Sequence, residues 1–267
     1  MAAAVWGGVL SFGLVTLPVE LHSATEDHTI AFHQYEAGTT DRIRYRRINE
    51  RTGQDVEVAN IVKGRPVGGQ VVTVEDSELD EIAPGRSRSI VISSFVDVGD
   101  LDPVYFGRTY WLAPGSADHW RAYNLLHQAM TQTRQAGIAT FVLRGKAHFA
   151  MIRAEGHALA LTTLRWPDEV REPATVLGTA TATSEPSEGE LQAATTVIAA
   201  MHREWKPEEY EDTYTTRVRQ LLEAKAEGAV APIAPAEPPE PTPTTELERV
   251  LRASVDSAKA RRVTADR

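Results

Sequence analysis

The chain contains no cysteine among its 267 residues. Disulfide bonds, thiolate zinc sites and thiol catalysis are therefore excluded, and the absence fits a reducing compartment. The N-terminus has no basic region ahead of an apolar segment, and no apolar run approaches the roughly 18 residues that a membrane-spanning helix needs. We expect a soluble, cytoplasmic protein without a membrane partner.

Common catalytic motifs are also absent. The sequence has no Gly-x-x-x-x-Gly-Lys, Gly-x-Gly-x-x-Gly, His-Glu-x-x-His or Gly-x-Ser-x-Gly. The histidines are scattered, and His148 and His157 have no carboxylate at ligand spacing. The acidic run over 75–81 lacks the glycine and the alternating ligands of a calcium loop, and is more typical of a solvated helix start. We expect no enzymatic activity, no catalytic residue, no metal site and no cofactor.

Positive charge is scarce and local. The net charge is -9, yet residues 121–171 carry seven basic and three acidic side chains, and the five arginines of the first 60 residues all fall between 42 and 51. The acidic excess lies mainly over 75–81 and 185–227. This distribution is typical of a protein that contacts phosphate with one surface and repels it elsewhere.

The first part of the chain is rich in strand patterns. Over 9–19, apolar residues occupy both even-numbered and odd-numbered positions, which predicts one strand that is buried on both faces. Helical spacing predicts a helix from Trp120 to Gln135, capped by Gly137. Alternation predicts further strands, the last three of which form a meander that would close a barrel: 43–48, 61–62, 71–74, 89–98, 138–143, 148–153 and 157–164.

The composition changes to helix formers near residue 186. Ser187 and Glu190 have capping-box spacing, and the apolar stripe that follows has no β partner to bury it. Pro207 interrupts this pattern, which then resumes until Gly228. A proline-rich stretch predicts an extended linker, followed by a short helix that is either a docking peptide or an ordinary terminal helix. The expected regions are 1–186, 187–228, 229–244 and 245–267.

The arginine cluster has two interpretations. In a strand over Arg42–Arg47, alternation would place Arg42, Arg44 and Arg46 on one face, about 7 Å apart, which matches successive phosphates of a nucleic-acid strand. Such contacts would be independent of base sequence and sensitive to salt. The alternative is an exposed edge strand that charge protects from aggregation.

Several blocks of residues occur along the chain in a recognisable order. The first is Val9–Val19 followed by Leu21–Thr25. The later blocks are Ile61–Gly64, Leu101–Phe106, Tyr110–Pro114, Ala122–Leu126, Gly137–Gly145, Leu164–Arg171, Lys206–Tyr214 and Lys225–Gly228. In residue types, order and spacing these blocks resemble the bacterial Ku family, whose members bind DNA ends in non-homologous end joining.

The resemblance implies an α+β fold in which a β-barrel and an arm from each of two chains form a homodimeric ring. The helices after 187 would pack across the dimer, and a DNA end would thread the basic channel during double-strand break repair, in the cytoplasm at the nucleoid. The DNA-binding candidates are Arg42, Arg44, Arg46, Arg47, Lys63, Arg65, Arg108, Arg134, Arg144 and Lys146.

The tail adds a second expected partner. Residues 247–255 resemble the family's segment that recruits an ATP-dependent end-joining ligase, with Leu247, Val250, Leu251 and Val255 as the candidate docking face. The alternative function is an adaptor that mainly recruits a ligase or polymerase and binds DNA ends weakly.

Overall fold

The computed structural model describes residues 3–82, 88–178, 185–228, 246, 249–251 and 253–254. The chain divides into two compact units. The first contains the residues up to Asp27 together with Ala31–Glu172, and the second contains His28–Ile30 and the residues from Pro173 onwards. No helix in the described ranges is long and apolar enough to cross a membrane.

The first unit contains a closed barrel of seven strands, in the order β1, β2, β6, β9, β8, β7, β5. All neighbouring strands pair antiparallel except β1 and β5, whose parallel pairing closes the barrel. The described strands are β1 Trp6–Phe12, β2 Val15–Ser23, β3 Lys63–Val67, β4 Gln70–Val74, β5 Ser89–Asp97, β6 Phe106–Pro114, β7 Gln135–Leu143, β8 Lys146–Glu155 and β9 Ala158–Leu164. The predicted α+β fold with a β-barrel and a three-strand meander is thus confirmed.

The first apolar run is two strands, so the prediction of one doubly buried strand is wrong. Gly13, with a φ of 55°, and Leu14 form the turn between β1 and β2. Glycine at the first position of a two-residue hairpin turn accepts this positive φ without a Cβ clash. Leu10 and Leu17 then pair across the hairpin and are both buried, whereas Leu14 is fully exposed at the turn.

The barrel core consists mainly of leucine and isoleucine side chains from the strands. Helix α2, Trp120–Thr133, adds the buried face Tyr123, Leu126 and Met130 to the same core. The helix ends at Arg134, whose φ is 57°, so the predicted cap at Gly137 is wrong. Gly137 lies inside β7, where a Cβ would come within 2.9 Å of the Ile92 side chain.

Tyr123 links α2 to two strands of the barrel. Its hydroxyl donates to the carbonyl of Leu112 at 2.8 Å and accepts the N–H of Leu159 at 2.7 Å. Burial raises the pKa of this hydroxyl, and the hydrogen bond from Leu159 opposes the shift. A single side chain therefore satisfies two buried backbone groups where β6 and β9 pair.

An arm leaves the barrel between β2 and β3, over residues 24–62. The predicted strand over 43–48 is wrong, because only isolated bridges form, between Tyr35 and Arg42 and between Ile48 and Asp55. The backbone near Arg42 pairs with the residues before it, and the backbone near Ile48 pairs with the residues after it. The backbone of residues 44–46 lies between the two pairings and joins neither. The hairpin β3–β4 and helix α1, Asp76–Ile82, follow the arm.

The second unit contains three described helices: α3 Pro173–Leu177, α4 Glu188–Met201 and α5 Thr213–Ala226. The predicted capping box of α4 is confirmed, since Ser187 Oγ accepts the N–H of Glu190 and the Glu190 carboxylate accepts the N–H of Ser187. The Ser187 hydroxyl also donates to the Glu190 carboxylate at 2.7 Å, and this hydrogen bond, together with the one from the Ser187 N–H, lowers the pKa of Glu190. At the start of α5, Asp212 accepts the N–H of Thr215 at 3.0 Å.

Candidate nucleic-acid interface

Two of the three arginines predicted to form a line in the arm are held by neighbouring side chains. Arg42 Nη2 lies 3.0 Å from Nδ1 of His33. Arg46 forms a two-point ion pair with the carboxylate of Asp55, across the second short pairing of the arm. This carboxylate neutralises one of the three charges that would meet phosphate.

Arg44 and Arg47 differ from these two. Both are exposed, and within the described part of the chain neither side chain has a hydrogen bond or ion pair. The backbone around them is fixed, because Arg47 accepts the N–H of Val56 and Ile43 donates to Gln34, both at 2.9 Å. The arm therefore presents two unneutralised guanidinium groups on a positioned backbone.

Lys63 and Arg65 lie on one face of β3, because they are two residues apart in a strand. Lys63 Nζ forms an ion pair of 2.8 Å with Asp76 at the start of α1. Arg65 lies opposite Val72 in β4 and is exposed. Of this pair, Arg65 is the cation without a carboxylate contact in the described residues.

A β-bulge directs Arg108 away from the barrel. Phe106 lies opposite Leu164 and Thr109 opposite Thr162, so two residues of β6 face the single residue Thr163 of β9. Thr163 Oγ1 accepts the N–H of Arg108 at 2.9 Å and donates to its carbonyl at 3.1 Å. Such bulges redirect side chains at functional surfaces.

A cleft of about 420 Å³ lies next to this bulge. Three cations from three strand ends line it: Arg108 of β6, Lys146 of β8 and Arg165, which follows β9. Among the described residues none of the three makes an ion pair, and Glu169 is the only carboxylate in the lining. The pairing of β9 with both β6 and β8 explains why residues far apart in sequence meet here.

Arg144 occupies the turn that joins β7 to Lys146. Arg144 and Gly145 both have a positive φ, at 53° and 76°. This is the turn geometry in which asparagine, aspartate or glycine is usually found, so an arginine here carries a backbone cost. Arg144 itself does not line the cleft, although Lys146, two residues later, does.

Arg134 is separate from this group. It lines another cleft, of about 340 Å³, with Arg153 and the end of α2. Arg153 is paired with Glu155 at 3.0 Å. The structure therefore divides the ten predicted DNA-binding residues between the arm, the β3 hairpin, the barrel cleft, the β7–β8 turn and this second cleft.

Comparison with known proteins assigns the fold to a family. Residues 11–193 match the family described as the Ku70/Ku80 beta-barrel domain. The chain belongs to the Ku family. It is 55% identical to the non-homologous end joining protein Ku 1 of Saccharopolyspora erythraea, over 97% of this chain and 80% of that protein. It is 46% identical to Ku 3 of the same organism, over 94% and 95%, and 35% identical to Ku of Mycobacterium tuberculosis, over 97% and 95%.

The Ku block Leu164–Arg171 contains two cleft residues that we did not predict from the sequence as site residues. Arg165 and Trp166 both line the cleft, and Trp166 stacks on Phe149 with a centroid distance of 5.4 Å and an interplanar angle of 17°. Their position directly after strand β9 could have indicated a site, because side chains from neighbouring strands converge at strand ends.

The candidate ligase-binding residues lie partly outside the described residues. Val250 and Leu251 are half-buried and helical, while Leu247 and Val255 fall outside. Arg249 forms an ion pair with Glu246, three residues earlier. Within the described residues of this Ku-family chain, no group of three His, Asp or Glu side chains is arranged to hold a metal ion.

Proposed function

We propose that this chain is a non-enzymatic DNA-end-binding protein of non-homologous end joining, which acts as a ring-shaped homodimer in the repair of double-strand breaks. The relatives at 35–55% identity carry the name of that process. The observation that carries the proposal is the arm over 24–62, a segment whose residues are almost all exposed and that interrupts the strands of a well-packed barrel.

The arm has no core of its own. Phe32, Tyr35 and Tyr45 are all more than half exposed, and so are Val67 and Val71 in the hairpin that follows. An isolated two-stranded hairpin is marginal in water, so apolar side chains in this setting need a surface from outside the segment. A second copy of the chain together with a DNA duplex would supply that surface.

The second unit supports dimerisation through residues 187–228. On α4, the side chains of Leu191, Ile198 and Met201 are 55–70% exposed, although their spacing places them on one face of the helix. An apolar helical face that is exposed in a single chain fits burial against the same region of another copy.

DNA contact would be made through phosphates. The candidate cations lie on an arm, a hairpin, turns and strand ends, and in the described part of the chain none of them lies within a helix that could read bases in the major groove. Binding would then be independent of base sequence and would weaken steeply as salt is raised.

The tail, residues 245–267, would recruit an ATP-dependent ligase through its apolar face. Val250 and Leu251 belong to that face. A second candidate function is an adaptor that recruits a ligase or polymerase and binds DNA ends only weakly. The net charge of -9 favours this alternative, because most of the surface repels DNA.

A gel-shift comparison tests the ring. Linear duplex should bind, and the same sequence as a covalently closed circle should not, because a closed circle has no end to thread. Equal binding to both forms would exclude the ring mechanism.

Deletion of 246–267 separates the two candidates. The end-binding protein should keep its affinity for linear duplex and lose only ligase stimulation. If deletion instead removes all function, and the intact chain binds ends weakly, the adaptor is correct. Within the tail, Leu251→Ala should reduce ligase binding more than Arg249→Ala, because apolar docking dominates such helices.

A further inference from the structure

The cleft beside Arg108 contains a feature that duplex phosphate binding does not require. Two aromatic rings, Trp166 and Phe149, lie stacked in its lining. One face of the Trp166 indole packs on Phe149, and 40% of the residue is still exposed. Phosphate contacts do not require an aromatic ring, and a partly exposed indole beside three cations fits a ligand that has both a phosphate and an apolar, planar part.

The backbone holds Trp166 firmly in this position. Its N–H donates to the Glu169 carboxylate at 2.8 Å, and its carbonyl accepts the N–H of Glu169 at 2.9 Å. On the strand side, Arg165 donates its N–H to the carbonyl of Tyr105 at 2.8 Å. Because the indole is already fixed, stacking on it would cost little conformational entropy.

The cations and the indole are combined in a cleft of suitable size. Arg108, Lys146 and Arg165 supply three positive charges, and the one lining carboxylate, Glu169, is engaged by the backbone of Trp166. The volume of about 420 Å³ falls within the range of small-molecule sites in proteins. A planar group next to a phosphate is the chemistry of a nucleotide.

The base in such a site must be unpaired. In a duplex the faces of a base are covered by its neighbours, whereas an indole can stack on a base that has left the helix. Proteins that bind single strands combine cations along the backbone with aromatic side chains that stack on bases.

We propose that this cleft binds an unpaired nucleotide of a single-stranded overhang at a DNA end, with the base on Trp166 and its phosphates near Arg108, Lys146 and Arg165. The proposal rests on the proposed end-binding function and deepens it. It assigns to the barrel cleft a recognition of end structure that is additional to the phosphate contacts proposed for the arm.

Fluorescence anisotropy with the full chain tests the site on three duplexes: blunt, with a short 3′ overhang, and with the same overhang made abasic. We expect the overhang to bind about fivefold or more tightly than the blunt end, the scale that stacking of one base provides. The abasic overhang keeps the phosphate contacts but loses the stacking, so it should keep only a small part of the preference. A preference of the same size without bases would overturn the proposal.

Trp166→Ala should remove the preference for the overhang, measured as the ratio of overhang affinity to blunt-end affinity. Trp111→Ala is the matched control, since Trp111 lies in the same barrel and is 38% exposed against 40% for Trp166. If Trp166→Ala lowers the unfolding midpoint, Trp166→Phe replaces it, because a smaller ring keeps the packing on Phe149 and should retain part of the preference. Equal loss in Trp111→Ala would overturn the assignment to this cleft.

Two further outcomes separate the possible ligands and functions. Free adenosine monophosphate has a base and a phosphate but no DNA end, and at millimolar concentration it should leave overhang binding unchanged. Strong competition would assign the cleft to free nucleotides and overturn the overhang proposal. The second outcome is equal binding of blunt linear duplex and closed circular duplex, while the Trp166-dependent preference for the overhang is kept. That result would exclude the ring mechanism and still support the overhang site in the cleft.

Discussion

The barrel and the arm differ in how much apolar surface they bury within the chain. The barrel buries its own apolar side chains, with Leu10, Leu21 and Ile90 at 0% exposure. The arm buries almost nothing, and its five arginines between 42 and 51 are matched by five carboxylates between 36 and 57. The barrel therefore has an apolar core of its own, whereas the arm has none.

The same contrast holds for their cations. On the arm, Arg42 and Arg46 contact His33 and Asp55, so part of the positive charge is engaged before any ligand arrives. At the barrel cleft, Arg108 and Lys146 make no ion pair within the described ranges. Side-chain contacts therefore hold Arg42 and Arg46 in place on the arm, whereas the cleft cations have no carboxylate that neutralises them in the described residues.

The largest effect on stability is expected from a substitution in the barrel core. Leu10→Ala should lower the free energy of unfolding by about 2–5 kcal/mol, because it removes a fully buried side chain from the core. Leu14→Ala, four residues later in the same apolar run, should change it by less than about 0.5 kcal/mol, because Leu14 is exposed at the turn.

Urea unfolding of the two variants measures this difference directly. Similar losses for both leucines would mean that the run is a single buried strand. That outcome would contradict the hairpin and restore the expectation drawn from the sequence.

This hairpin shows why the barrel was predictable in outline but not in detail. The sequence predicts the three strands β7, β8 and β9 and the capping box at Ser187, because alternation and cap spacing are local signals. The run over 9–19 has apolar residues at both parities, so its pattern could not distinguish one buried strand from two strands joined at Gly13. Only the pairing of β1 with β5 and of β2 with β6 decides between them.

A smaller effect is expected from Tyr123→Phe, which removes one hydroxyl from the barrel core. The change leaves the carbonyl of Leu112 and the N–H of Leu159 buried without their partner, at a cost of about 1–3 kcal/mol. Tyr214→Phe is the control, because Tyr214 is 74% exposed and should give no measurable loss.

The pH dependence of the same variant follows from the raised pKa of Tyr123. A tyrosine whose pKa is higher in the folded state stabilises the fold fully below its unfolded value of 10.0, and this contribution is lost as pH rises through the folded value. Wild-type stability should therefore fall above pH 10.0 more steeply than that of Tyr123→Phe. Parallel pH profiles would show that the hydroxyl is not buried.

The candidate site was harder to predict than the barrel. The cleft joins positions 108, 146 and 165, and only the neighbouring order of β6, β9 and β8 brings them together. Arg108, Lys146 and Arg144 were candidates from charge, yet nothing local in the sequence connects them with Trp166. In the arm, the arginine line was visible in the sequence, while the ion pair to Asp55 required the two short backbone pairings.

The smallest effect is expected on the salt dependence of DNA affinity, and it distinguishes Arg44 from Arg46 within the arm. If Arg44 contacts one phosphate, Arg44→Ala should reduce the slope of log affinity against log salt by about 0.9, without changing stability. The double change Arg46→Ala with Asp55→Ala removes a matched ion pair and should leave the slope unchanged. Titrations of linear duplex at several salt concentrations measure both. A wild-type slope in Arg44→Ala would favour protection of an exposed edge as the role of the cluster, whereas a lower slope in the double variant would mean that Arg46 leaves Asp55 to meet phosphate.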